Sequence, residues 1–281
     1  MPSFDTPQPI SVSLDAPVGN VAIAASDRTD TVVEVRPSDP AKKADVTAAE
    51  QTLVEFSGGV LTVKAPKSWR QWTPLGGYES IEVRIELPSG SQLRATVGVG
   101  SLRCTGDIGE CHFRTGVGDI QIEEAGPLEL KSGSGKVSVD RATGRSQVAA
   151  AGAVRIASAD GPLVVKNGNG DTWLGEAAGE TRVTAGNGAI VIEVAHTSVT
   201  AKSANGDVRV GEVAGGTVVA QSSLGAIEVG VRDGVAAWLD LETKFGTVEN
   251  ELGAAQRPGS GEQAVEIRAR TSMGRVAVHR S

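Results

Sequence analysis

The sequence predicts an all-β fold: a single-stranded parallel β-helix, or β-solenoid, with about 18 residues per coil. Three observations predict it. A glycine recurs at Gly100, Gly118, Gly135, Gly152, Gly170, Gly188, Gly206, Gly225, Gly246 and Gly274, at spacings of 18, 17, 17, 18, 18, 18, 19, 21 and 28. Each is followed by two apolar columns separated by one variable residue. The composition is rich in glycine (36 residues) and holds only nine aromatics, which suits thin stacked strands better than a helical bundle.

Each coil reads the same way. Two places after the glycine stand Leu102, Ile120, Val137, Val154, Ile190 and Val208, and four places after it Cys104, Ile122, Val139, Ile156, Ile192 and Val210. That alternation is a strand with one buried face. A second strand precedes the glycine, as in Leu128 with Leu130 and Leu163 with Val165, and a second turn glycine falls near the half-period, as at Gly126 and Gly161. Two strands and two corners per coil favour a right-handed, two-sided or flattened-triangular helix. The left-handed hexapeptide helix needs one aliphatic column every six residues, which the chain lacks. Residues 93–281 form the regular solenoid, one continuous domain with what precedes it. Residues 1–92 are looser: an irregular β cap and the first coils, with strands at 31–36, 54–56, 60–64 and 80–87 and a helix-compatible stretch at 39–51.

The glycine-cornered segments Thr115-Gly116-Val117-Gly118-Asp119-Ile120 and Asn167-Gly168-Asn169-Gly170-Asp171 resemble the bacterial "putative adhesin" family of β-strand repeat proteins, domain of unknown function 4097. The resemblance covers nearly the whole chain and implies the repeat architecture. It carries over no activity, cofactor or catalytic residue. The adhesin label implies a surface role, and relatives encoded beside export-type ABC transporters imply a link to such an exporter.

Charge and cysteine content narrow the function classes. The net charge of −7 opposes general binding of nucleic acid or anionic membrane. No stretch approaches a membrane span, so direct membrane insertion is not expected. The opening Met1-Pro2-Ser3-Phe4-Asp5-Thr6-Pro7 lacks the pattern of a signal peptide, and the chain is expected in the cytoplasm, with Cys104 and Cys111 as free thiols. No metal or cofactor is expected. Asp119, Asp171 and Asp207 follow corner glycines, but Lys136, Ala153 and Ala189 break the carboxylate row that calcium needs. The stacked Asn169, Asn187 and Asn205 read as a structural ladder. His112, His196 and His279 stand in unrelated contexts, so no enzyme is expected.

The candidate interaction residues are Trp69, Trp72 and Tyr78 in one loop, Trp173 on an outward position, and Met273, Val276 and Val278 in the last coil. The loop aromatics are either the plug of the cap or a carbohydrate or partner contact. Trp173 either stacks on a neighbouring arginine or anchors an interface. The last repeat has no cap after it. Its corner residue Met273, with Phe245 and Leu224 at the two preceding corners, makes an apolar stripe near that end. This end is expected to meet a second copy or another protein, unless the loop 250–263 covers it with Leu252. The expected function is a non-enzymatic scaffold or self-associating solenoid, its protein partner unidentified. The alternatives are a carbohydrate- or ligand-binding β-helix using Trp69, Trp72 and Tyr78, or an exported adhesin.

Overall fold

The structure is a computed structural model that describes residues 1–66, 79–252 and 264–281. It is an all-β solenoid, and it divides into two compact units, residues 1–138 and 139–281. The first unit holds β1 (Ser3–Asp5), β2 (Ser11–Ser26), β3 (Asp30–Pro37), α1 (Lys43–Gln51), β4 (Leu53–Ser57), β5 (Val60–Lys64), β6 (Ile81–Pro88), β7 (Gln92–Val99), β8 (Leu102–Ile108), β9 (Cys111–Val117), β10 (Ile120–Ala125) and β11 (Leu128–Ser132). The boundary falls in β12 (Val137–Ala142). The second unit continues with β13 (Ser146–Ala150), β14 (Val154–Ala159), β15 (Leu163–Asn169), β16 (Thr172–Ala177), β17 (Thr181–Asn187), β18 (Ile190–Ala195), β19 (Val199–Asn205), β20 (Val208–Val213), β21 (Gly216–Leu224), β22 (Ile227–Val231), β23 (Ala236–Phe245), β24 (Val248–Asn250), β25 (Ala264–Met273) and β26 (Val276–Arg280).

In the second unit, the strands before each corner glycine pair in parallel as β13–β15–β17–β19–β21. Those after it pair as β14–β16–β18–β20–β22. Alternation decides what lies inside: Leu163, Val165, Val183 and Val218 from one sheet and Ile190, Ile192, Val208 and Val210 from the other are fully buried. A third inward column, Ala159, Ala177, Ala195 and Val213, lines the far corner.

The stack departs from chain order at its end. β25 lies between β21 and β23, and β26 lies between β22 and β24. The last coil in sequence is therefore the penultimate coil in space, and the segment 236–250 is the outermost. The corner glycines record the same order, since Gly246 stacks on Gly274 and Gly274 on Gly225. The physical reason is visible in β24. It has three residues and places Asn250 where the other coils have aliphatic side chains, whereas β26 supplies Val276 and Val278. The better apolar coil takes the site that is covered on both sides.

The first unit permutes its coils as well. The first half of β2 pairs in parallel with β5 and β7, and the second half with β6 and β8. Its outer edge is finished by antiparallel strands: β4 on β5, β3 on β6, and β1 on β3. The rings of Phe4 and Phe56 meet at 5.3 Å. α1 packs on β3 and β6. Its Asp45 is buried, accepts the Ser80 N–H at 3.1 Å and pairs with Lys42 at 2.9 Å. Burial pushes the Asp45 carboxyl up, but Lys42 and the Ser80 amide outweigh it and hold the group below the usual carboxylate range. Arg28, hydrogen-bonded to Asp30 and Glu86, likewise lowers both carboxyls.

Two outcomes follow from this arrangement. Val278→Lys buries an unpaired ammonium and should cost several kcal/mol, while Phe245→Lys on the exposed corner should cost less than about 1 kcal/mol. Urea midpoints that fall equally for the two variants would overturn the coil order. A carboxyl lowered in the folded state contributes stability that is present above its unfolded pKa and is lost as pH falls through the folded value. Melting temperature should therefore drop below about pH 4, and Asp45→Asn should flatten that drop.

Candidate functional site

The free end of the second unit is the feature that its neighbours do not already satisfy. β23 alternates, with Leu239 over Ile267 and Leu241 over Ala269 in register. Ile267 and Ala269 are fully buried, but Leu239 and Leu241 are only half-buried, because no strand lies beyond them among the described residues. Around them Trp238 is 57 % exposed, Phe245 71 % and Val248 47 %. The edge also carries Asp240, which binds Arg270 at 2.8 Å, and Glu249, which binds Arg275 at 3.1 Å. β26 secures this coil from below. Arg280 donates to the carbonyl oxygens of Arg232 and Val235 at 3.0 and 2.8 Å, and the Glu251 N–H donates to Val278 at 2.8 Å.

The sequence-predicted residues separate into three groups. Val276 and Val278 are fully buried core residues and not surface anchors, because the final coil is covered by β23 and β24. Met273 stands on the corner, 54 % exposed, between Leu224 and Phe245 in space. Trp69, Trp72 and Tyr78 lie outside the described residues, as do residues 253–263 of the loop expected over the end. Leu252 is half-buried, and its N–H donates to Asn250 Oδ1 at 3.1 Å. Trp173 reaches over Gly175, with the Arg155 guanidinium 3.7 Å from its ring centroid and its indole N–H donating to Glu193 at 3.0 Å. Those contacts use the ring face, the N–H and the neighbouring glycine, so the stacking reading describes it.

Other polar side chains have structural work that the sequence reading assigned only in part. Asp119, Asp171 and Asp207 each accept a backbone N–H of the next coil, from Lys136, Ala189 and Ala226 at 2.7–2.8 Å. Asn187 donates to Asn169 at 3.2 Å. An unpredicted inward column also runs past the corners. Ser203, Ser222, Thr271 and Thr243 each donate to the carbonyl of a stacked corner glycine, namely Gly188, Gly206, Gly225 and Gly274, at 2.9–3.1 Å. The signal was a hydroxyl three places before Gly206, Gly225, Gly246 and Gly274, the corner glycine of each donor's own coil. Among the described residues no group of three or more His, Cys, Asp or Glu side chains is placed to hold a metal ion. His112 lies between Glu110 and Glu129, His196 bonds Glu176, and His279 bonds Glu228. On the first unit a shallow depression of about 470 Å³ lies over short Ala22, between the longer Arg84 and Arg103.

A stack of glycine-cornered parallel coils is a fold with known relatives. The family model described as Toastrack DUF4097 matches residues 10–278. The chain belongs to this family. Among solved structures the Toastrack chain is similar to a "putative adhesin" from Bacteroides fragilis, at 11 % identity over 99 % of this chain and 95 % of that one, with a TM-score of 0.35. It is also similar to a "putative lipid binding protein" from Parabacteroides distasonis, at 12 % identity over 99 % and 95 %, with a TM-score of 0.42. A "putative cell adhesion protein" from Clostridium sporogenes shares 10 % identity over 100 % and 98 %, with a TM-score of 0.25. No curated protein matches the sequence.

The two Toastrack thiols face inward. Cys104 and Cys111 are free and fully buried. Desolvation pushes the Cys111 thiol up to about 12 and the Cys104 thiol well above its ordinary value, with Cys111 adding to the latter. In the folded protein at pH 8, both should react with a thiol reagent far more slowly than in urea. Equal labelling rates in the two states would place these strands in the wrong register.

Proposed function

We propose that this Toastrack protein is a protein-binding solenoid, acting by contact and not by catalysis, and that it docks its partner on the outermost coil, β23 and β24. One observation carries the reading: the coil's edge has no strand beyond it among the described residues and displays Trp238, Phe245 and Val248. A free strand edge offers a row of backbone donors and acceptors, and exposed aromatics beside it supply the apolar anchors that interfaces favour. Among the described residues, Trp173 and the histidines have internal partners. Trp173 is engaged by Arg155 and Glu193, and each histidine by its own carboxylate.

Capture from the native host's extract should distinguish this edge from the rest of the surface. The wild type should retain proteins that the doubly substituted Trp238→Ser, Phe245→Ser variant loses. On binding, amide exchange should slow in β23 and β24 before it slows elsewhere. Identical sets of captured proteins from both forms would reject the docking site.

A further inference from the structure

We propose that the occupant of this edge is a second copy of the same chain, paired antiparallel about a twofold axis through Glu242. The inference rests on the docking reading above and names its partner. The Phe245 carbonyl accepts the Gly274 N–H at 3.0 Å, which directs the odd-numbered peptide groups of β23 toward β25. The N–H and C=O groups of Trp238, Asp240, Glu242 and Lys244 therefore point to the free edge. A twofold axis perpendicular to the sheet brings two such edges together with both bond-forming sets facing. It also carries the second sheet onto itself, so that β24 meets β24 of the second copy.

Charge and strand overlap together select the register. With the axis at Glu242, Asp240 faces Lys244 of the second copy, and the converse pair forms as well. Trp238 then faces Gly246 of the second copy, where no side chain obstructs the indole. Only Glu242 meets its own kind, and each Glu242 lies 3.6 Å from an Arg270 nitrogen. An axis at Leu241 would set Asp240 against Glu242 twice, which is unfavourable. An axis at Thr243 would shorten the strand overlap. The isologous contact closes on itself and gives a dimer, not a filament.

Charge exchange tests the proposal without disturbing the core. Light scattering after gel filtration should show a dimer at tens of micromolar. Asp240→Lys alone and Lys244→Asp alone should each raise its dissociation constant about tenfold or more. The combined Asp240→Lys, Lys244→Asp variant should restore it to within about threefold. Asp240 also binds Arg270 within its own chain, and the second substitution does not repair that bond, so rescue reports the pairing between copies. In the dimer, the amides of Trp238, Asp240, Glu242 and Lys244 should exchange slowly. A monomer, an open-ended series of larger species, or failure of the double variant to rescue would each overturn the proposal. A monomer that still captures other proteins through Trp238 and Phe245 would overturn this inference and leave the docking site standing. Loss of both would remove the two together.

Discussion

The close approach of backbone to backbone at the coil corner governs everything else in this molecule. At Gly188 the backbone has φ +127°, and a Cβ would sit 2.3 Å from the carbonyl oxygen of Gly170 in the neighbouring coil. No other residue type fits there. That approach lets successive coils stack at the strand spacing of about 4.8 Å. Once the corners stack, every strand residue finds its counterpart one coil away. Identical columns of valine, isoleucine and alanine then fill an interior too narrow for many aromatics. The carbonyls that turn inward at these corners would be unsatisfied, and the serine and threonine column supplies their donors.

The same regularity makes the fold readable from sequence. Glycines at an 18-residue period and the two aliphatic columns were enough to place Ile190, Ile192 and Val210 inside, because period-two alternation leaves each strand residue only two faces. The cap strands and α1 were also legible in outline, each from its own local pattern. What sequence order could not convey is which coil lies beside which. A coil's neighbours are chosen by how much apolar surface each can cover, and chain succession is only the default. The clue was present in Asn250, a polar residue in an aliphatic column, and in the longer spacing before Gly274. Without the pairing of β25 with both β21 and β23, those two irregularities read as a simple insertion.

The candidate site was harder to read for a related reason. The apolar corner residues Leu224, Phe245 and Met273 were visible, since they break the run of asparagines at the same position. Assigning the open end to Val276 and Val278 failed because it took the last coil in sequence for the last in space. A core valine and an edge valine have the same local pattern. Only the neighbour on the far side distinguishes them, and that neighbour comes from an earlier part of the chain.

Placing the final coil one layer in also alters how the molecule comes apart. In a solenoid laid down in simple order, the last strand holds on by one ladder and can be peeled away, after which the next strand is exposed to the same fate. Here β25 and β26 are gripped on both sides. Unzipping from the carboxyl end must break two ladders together. The outermost coil is a loop fastened at each of its ends, and no free strand end is available from which to strip it. A pull applied beyond β26 first loosens His279 and Arg280 from β22 alone, and from Val278 inward it must break two rows of hydrogen bonds together.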